Sequence, residues 1–147
     1  MLNKNKWDLR YLEMAKLVST WSKDPSTKCG AVIVDPNNHI VSVGFNGFPV
    51  YVDDKPERLH DRELKYAMTI HAERNVMIFA NRNLYGCTMY TYPMQACSEC
   101  AAMMIQSGIT RHVSFNKRPE RWNKSFQIAS DMFKEAFVEI KLYEENQ

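Results

Sequence analysis

One histidine, one glutamate and two cysteines have a spacing that suits a metal centre. His71 and Glu73 are separated by one residue, and Cys97 and Cys100 are separated by two. An imidazole nitrogen and two thiolates are ligands that Zn²⁺ accepts, and three protein ligands leave its fourth position to water. A carboxylate beside the histidine could move protons to and from that water. The pattern therefore indicates a catalytic zinc site with Glu73 as the proton carrier.

A structural zinc site is the competing interpretation of the two closely spaced cysteines. Such a site needs a fourth protein ligand, which Cys29, Cys87 or another histidine would have to supply. The upstream His71 with its companion Glu73 favours the catalytic interpretation. The remaining histidines have no such companions, and we assign no role to them; they are His39, His60 and His112.

The metal-binding residues can converge only where two helices begin. On an ideal helix His71 and Glu73 would point about 200° apart, because each residue advances the helix by about 100°. They can share a partner only at the N-terminal end, where the helix dipole also favours a carboxylate. Cys97 and Cys100, three residues apart, fall on one side of the next helix. The sequence thus predicts two helix N-termini that face one metal ion.

Hydrophobic periodicity predicts an αββαβαβαβ order around these segments. The predicted helices cover 7–21 with an end near residue 24, 72–80, about 97–105, and about 125–136; the predicted strands cover 29–34, 39–45, 87–92, 112–115 and 138–142. An antiparallel hairpin followed by alternating strands and helices predicts a mixed sheet with helices on both faces. The polar stretch 47–64 is predicted to be a long loop that is either functional or mobile.

Composition favours one domain that covers residues 1–147. The 147 residues are 45% hydrophobic and carry a net charge of +2, which suits a globular core and is too mild for a polybasic nucleic-acid or membrane binder. No apolar run approaches the length of a signal-peptide core or a membrane span, so we expect a cytoplasmic protein with no membrane association. In that reducing compartment the cysteines are thiols or metal ligands rather than disulfides.

The motif resembles the signature of the zinc-dependent nucleobase deaminases, His-Ala-Glu followed by Cys-x-x-Cys. Longer segments resemble the deoxycytidylate (dCMP) deaminases specifically, and the similarity extends from about residue 8 to about residue 142. The segments that carry this likeness are 24–36, 44–49 and 106–109. One departure lies beside the metal ligands, where Ala96 replaces the usual proline and the segment leading to it is longer by one residue.

The resemblance implies a three-layer cytidine deaminase-like α/β fold with a five-stranded mixed sheet between helices. It implies a zinc ion on His71, Cys97 and Cys100, with Glu73 as the catalytic residue and Asn46 as a contact to the substrate sugar. The implied reaction is hydrolysis of dCMP to dUMP and ammonia, in which zinc activates water for attack at C4 of cytosine. The family also implies a homo-oligomer, a dimer or a hexamer.

A nucleotide monophosphate requires cationic partners in the pocket. We expect Lys28, beside the first strand, to bind the phosphate. The other basic candidates are Arg111, Lys117, Arg118 and Arg121.

Other functions compatible with the same zinc chemistry stay open at this point. The stretch 111–124 interleaves basic and aromatic side chains, which could bind single-stranded DNA or tRNA; the mild net charge and the dCMP deaminase-like segments favour a small nucleotide instead. Another free cytosine nucleoside or nucleotide could also be the substrate. A non-catalytic, zinc-stapled interaction domain would need a fourth protein ligand for the metal.

Overall fold

The computed structural model describes residues 4–145. Its strands are β1 (Gly30–Val34), β2 (Ile40–Phe45), β3 (Thr88–Tyr92), β4 (Arg111–Phe115) and β5 (Glu139–Tyr143). Its helices are α1 (Lys4–Ser19), α2 (Pro56–Leu59), α3 (Arg62–Met68), α4 (Ala72–Ala80), α5 (Ser98–Gln106) and α6 (Asn123–Glu135), with a 3₁₀ turn at Glu120–Trp122. No helix in this range is long and apolar enough to cross a bilayer.

The five strands form one mixed sheet in the order β2-β1-β3-β4-β5. Strand β1 pairs antiparallel with both β2 and β3, whereas β3, β4 and β5 run parallel. The predicted fold class, with its antiparallel opening hairpin and its parallel second half, is confirmed.

The central strand β1 shows how the sheet separates two helical layers. All of its residues are buried, and successive side chains point to opposite faces. Ala31 and Ile33 belong to the core beneath α4, α5 and α6. Val32 and Val34 pack on the other face against the side chains of α1. The fold is therefore a sheet between two helical layers, as expected.

Two boundary predictions were wrong. The first helix ends at Ser19 rather than near residue 24, and the chain then turns, with the Thr20 and Trp21 amides donating to carbonyls three residues earlier. Trp21, which matched the apolar period, lies beyond the helix and is 52% exposed. The polar stretch 47–64 also contains α2 and the start of α3. Their starts are set by Pro56 in the first turn and by the Asp61 cap, signals that apolar periodicity does not register.

The strand directions bring several separate segments to one end of the sheet. Because β1 is antiparallel to its neighbours, Gly30 lies beside both Phe45 and Tyr92. The residues before β1, after β2 and after β3 therefore meet at that end. In α/β sheets, ligands bind at such strand ends.

Candidate active site and metal centre

The three predicted metal ligands lie together at the starts of two helices. His71 is the N-cap of α4, Cys97 is the N-cap of α5, and Cys100 lies in the first turn of α5. His71 Nδ1 lies 3.6 Å from Cys97 Sγ and 3.4 Å from Cys100 Sγ. The two helix N-termini therefore face one point, as the spacing predicted.

The donor atoms fit a tetrahedral zinc ion. Zinc bonds of about 2.3 Å to sulfur and about 2.0–2.1 Å to nitrogen place adjacent N and S ligands roughly 3.6 Å apart, close to the separations in this structure. Within residues 4–145, these three side chains form a candidate metal cluster without a fourth member. Cys29 and Cys87 do not join it, so a structural four-ligand site finds no support there. A metal held by this set keeps one position for water.

The electrostatics of the cysteine pair favour a bound cation. The hydrogen bond from Cys100, aided by His71, lowers the pKa of the Cys97 thiol to about 4. The hydrogen bond with Cys97 and burial raise the pKa of Cys100, because two neighbouring thiolates would repel each other. The hydrogen bond with Cys97 raises the pKa of His71. A divalent cation at the centre would hold both sulfurs as thiolates.

Glu73 lies in the first turn of α4, two residues after the N-cap. Its side chain is nearly buried, and this burial raises the pKa of its carboxyl group to about 7, although the charge of His71 acts in the opposite direction. A carboxyl group with a pKa near neutrality can both accept and release a proton. The position and the chemistry of Glu73 therefore suit proton transfer at the metal.

A pocket opens at this point, and His71, Cys97, Glu73 and Asn46 all line it. Asn46 follows β2 and is 6% exposed. Its side-chain Oδ1 accepts from the Cys29 amide at 2.8 Å, and its Nδ2 donates to the Thr27 carbonyl at 2.9 Å. A carboxamide has further donor and acceptor capacity. Asn46 thus fastens the segment before β1 and can still bind a ligand.

Lys28 does not line this pocket. Its ammonium group donates to the Ser22 carbonyl at 2.5 Å, and the residue is exposed. Its neighbours Thr27 and Cys29 line the pocket, whereas the Lys28 ammonium group is bonded to the Ser22 carbonyl, so its contact with a phosphate stays a prediction.

Among the other basic candidates, Arg121 lies in the pocket lining. Its guanidinium lies 6.0 Å from the centre of the Trp122 ring. Arg111 lies at the N-terminal end of β4, the end away from the pocket, where it forms ion pairs with Asp8 and Glu139. Arg118 instead bonds to Asn123 and Gln127 on α6. Arg121 is the candidate that the structure places at the site.

Two further residues of the pocket were not assigned to the predicted deaminase site. Trp122 packs its ring edge-on against His71, with centroids 6.3 Å apart and an interplanar angle of 87°. The basic and aromatic stretch 111–124 contained a signal for this residue. Gln95 is 4% exposed and also lines the pocket. It lies in the segment before Ala96 that departs from the family pattern, and this departure was the only signal for it in the sequence.

His112 supports the loop that carries the first metal cysteine. Its Nε2 accepts a hydrogen bond from the Ala96 amide at 3.0 Å, and its Nδ1 lies 3.0 Å from the Met89 carbonyl oxygen. Because a carbonyl only accepts, Nδ1 carries the proton and the buried ring is neutral. A proline at position 96 would have no amide hydrogen to donate. Ala96 and His112 therefore form a matched pair beside Cys97.

Comparisons with known proteins agree with this site. Residues 5–116 match the model of a family described as the cytidine and deoxycytidylate deaminase zinc-binding region. The chain is 45% identical over 139 residues to an uncharacterized deaminase in the luxG 3′ region of Aliivibrio fischeri, covering 92% of each chain. It is 41% identical over 115 residues to a probable deoxycytidylate deaminase of Caenorhabditis elegans, covering 76% of this chain and 58% of that protein.

A solved structure shares the fold. The dCMP deaminase of cyanophage S-TIM5, crystallised in complex with dCMP and dUMP, superimposes with a TM-score of 0.73 at 21% identity. The match covers 97% of this chain and 99% of the cyanophage chain.

Proposed function

The chain belongs to the cytidine and deoxycytidylate deaminase family, and we propose that it is a zinc-dependent enzyme that converts dCMP and water to dUMP and ammonia. The observation that carries the proposal is one pocket lined both by His71 and Cys97, two members of a three-ligand metal site, and by the nearly buried carboxyl group of Glu73. Relatives named as deoxycytidylate deaminases, and the cyanophage enzyme with dCMP and dUMP, support this substrate. We take residues 1–147 as a single deaminase domain.

His71, Cys97 and Cys100 would hold the zinc ion. When bound, zinc supplies a Lewis acid that acidifies water, so that a nucleophile for C4 of cytosine exists at neutral pH. Glu73 takes the proton that the water releases and delivers it to N3 of the base. The same carboxyl group then takes the proton of the hydroxyl group added at C4 and passes it to the amino group, so that the C4–N bond breaks, the C4 carbonyl forms and ammonia leaves.

The pocket residues proposed to bind the nucleotide differ in their exposure to solvent. Glu73 and Asn46 are nearly buried, whereas Arg121 is exposed. With the base at the metal, the sugar contact that the family resemblance implies for Asn46 fits its place in the same pocket, since its amide can bind a hydroxyl group. The phosphate then lies at the mouth, where the Arg121 guanidinium can bind it through two parallel hydrogen bonds.

A nucleic-acid substrate is the second candidate, and the arrangement of the basic side chains weighs against it. A single strand is bound by a continuous groove of cations and stacking aromatics. The Arg111 guanidinium donates two hydrogen bonds, of 2.7 and 2.8 Å, to the buried Asp8 carboxylate. Arg118 lies against α6, where it bonds to Gln127. The basic stretch is thus divided among separate parts of the molecule.

We also propose a homo-oligomer in the cytoplasm. Ile78 and Phe79 on α4 are 59% and 61% exposed, and large apolar side chains on one surface helix favour contact with another subunit. The free thiols of Cys29 and Cys87 suit a reducing compartment. Light scattering after gel filtration tests the assembly; a monomer at micromolar concentration would contradict it.

The function is tested by ammonia release from a panel of cytosine compounds at two salt concentrations. The panel contains dCMP, CMP, deoxycytidine, cytidine, dCTP and a cytosine-containing oligonucleotide. We expect the zinc-loaded protein to prefer dCMP. Preference for the oligonucleotide, with a steep loss of activity as salt increases, would support the nucleic-acid candidate instead.

A further inference from the structure

The segment that carries the first metal cysteine has no regular secondary structure of its own. It connects the end of β3 at Tyr92 to the start of α5 at Ser98, and Cys97 is its last residue. A segment without a ladder of backbone hydrogen bonds depends on other groups to fix its position. One such bond lies directly before the ligand, where the Ala96 amide donates to His112 Nε2 at 3.0 Å. Ala96 and His112 are both fully buried, so water does not compete for this bond.

His112 accepts this bond from a fixed position in the sheet. It lies in β4 opposite Met89 of β3, and its Nδ1–H donates to the carbonyl oxygen of that same residue at 3.0 Å. Its ring also packs against the Phe133 ring of α6, with centroids 5.5 Å apart. Because one nitrogen is bonded to the sheet and the ring contacts α6, the imidazole cannot turn away from Ala96 without losing both contacts.

A second bond between the sheet and this segment lies further from the metal ligand. Thr91 Oγ1 donates to the Met94 carbonyl at 2.8 Å, three residues before Cys97. The bond to His112 differs in that it holds the residue joined directly to Cys97. A displacement of the Ala96 amide therefore passes to the ligand through a single peptide unit.

We infer that His112 is a positioning residue for the metal centre, and that by accepting the Ala96 hydrogen bond it fixes the backbone from which Cys97 binds zinc. The inference rests on the proposed function for its effect on deamination, whereas its effect on metal binding does not depend on the substrate. Groups that orient metal ligands from behind change metal affinity by about tenfold to hundredfold when they are lost.

Two substitutions of His112 separate the hydrogen bond from the bulk of the ring. His112→Leu keeps an apolar side chain against Phe133 but has no acceptor, whereas the side-chain oxygen in His112→Gln can accept from the Ala96 amide. We expect the zinc dissociation constant, measured by competition with a chelator, to rise about tenfold to hundredfold in His112→Leu and to stay close to the wild-type value in His112→Gln. Wild-type affinity in His112→Leu, or an equal loss in both variants, would overturn the inference.

Val138→Ala is the control for a general loss of stability. Val138 is 8% exposed and belongs to the same core cluster as Phe133, but it follows α6 and lies far along the chain from the segment before Cys97. Its truncation should lower the unfolding midpoint and leave the zinc affinity unchanged. A loss of affinity as large as that of His112→Leu would assign the effect to core destabilisation and would overturn the inference.

The combination with Ala96→Pro measures the hydrogen bond itself. Ala96→Pro removes the amide hydrogen, so a further substitution of His112 removes no bond to residue 96. His112→Leu should therefore weaken zinc binding much less in the Ala96→Pro protein than in the wild type. Any strain that the proline introduces is present in both members of that comparison and cancels. Equal losses of affinity in the two backgrounds would overturn the inference.

Zinc affinity and deamination are measured on the same proteins, so that the two claims fail separately. If the wild type deaminates no cytosine compound while His112→Leu loses zinc affinity as expected, the proposed function fails and the positioning role stands. If the wild type deaminates dCMP and His112→Leu keeps the wild-type zinc affinity, the positioning role fails and the proposed function stands.

Discussion

Arg121, at the mouth of the pocket, is the residue that we expect to distinguish a nucleotide from a nucleoside. Replacing it by Gln removes the charge but keeps hydrogen-bonding groups. We expect Arg121→Gln to raise KM for dCMP by about tenfold or more, since hydrogen bonds to charged groups contribute about 1.5–3 kcal/mol. Deoxycytidine, which lacks the phosphate, should be processed as before.

Lys28→Gln is the control for that experiment, because Lys28 is exposed and lies outside the pocket lining. We expect its kinetics to match those of the wild type for both substrates. A selective rise of KM for dCMP in Lys28→Gln, with none in Arg121→Gln, would restore the phosphate role that the sequence suggested for Lys28.

His112 should make the protein sensitive to mild acid. Burial lowers its pKa from 6.5 to about 4, so the unfolded chain binds a proton before the folded chain does. The contribution of His112 to stability is therefore complete above pH 6.5 and is lost as pH falls toward 4, by about 3 kcal/mol in total. Denaturant unfolding between pH 7 and pH 4 measures this loss.

The variant His112→Gln has no titratable group at that position, so the difference between the two pH profiles isolates the histidine. Asp8 and Asp24 have lowered pKa values, and their protonation weakens folding mainly below pH 4, outside this window. Parallel profiles for the wild type and His112→Gln between pH 7 and pH 4 would contradict the assignment.

Sequence reasoning at this scale identified side chains whose chemistry is distinctive and missed those whose environment is distinctive. His71, Cys97 and Cys100 are brought together as their types and spacing predicted. Lys28 and Arg121 are both basic and both exposed, and only the fold shows that Arg121 lines the pocket while Lys28 does not. Gln95 lies in the segment before Ala96 that departs from the family pattern, but only the fold shows that it lines the pocket.

Helix α4 carries His71 and Glu73, and its position depends on a glycine in the strand beneath it. A Cβ atom at Gly44 would lie 2.6 Å from the Val76 backbone nitrogen and 2.9 Å from the Val76 Cα. Gly44→Ala therefore has to displace the helix, and we expect it to reduce the free energy of unfolding by about 1–3 kcal/mol or more. Zinc affinity should fall with it, since the N-cap of α4 moves relative to α5.

Gly47→Ala provides the matched comparison, because a Cβ atom there meets nothing within 4 Å. Its unfolding midpoint and zinc affinity should stay close to those of the wild type. An unperturbed unfolding midpoint for Gly44→Ala, measured in the same denaturant series, would show that α4 does not depend on this close approach.

The elements that position the metal were the most predictable part of the fold. The side chains of His71 and Glu73 would point in different directions within an ideal helix, so the sequence analysis placed them where a helix begins. Helix α4 does begin at Ala72. The same argument placed Cys97 and Cys100 at the start of α5. The short helices α2 and α3 were missed because α2 buries no residue and α3 buries only Lys65, so no apolar stripe marked them.

At the scale of the whole molecule, one end of the sheet gathers the residues of the site. The order β2-β1-β3-β4-β5 places the segments before β1, after β2 and after β3 side by side, so residues as distant in sequence as Asn46 and Gln95 line one pocket. The order of elements predicted a mixed sheet. The depth of each side chain in that pocket depends on tertiary packing, which local periodicity does not encode.

The central claim is that Glu73 moves protons at a zinc ion held by His71, Cys97 and Cys100. The most direct measurement is the rate of dUMP formation from dCMP by the wild type and by Glu73→Gln, both loaded to one zinc ion per chain. Because Gln keeps the size of the side chain and cannot carry the proton, we predict equal zinc content and a rate at least about a hundredfold lower. A zinc-loaded Glu73→Gln protein that forms dUMP at a near-native rate would contradict the account.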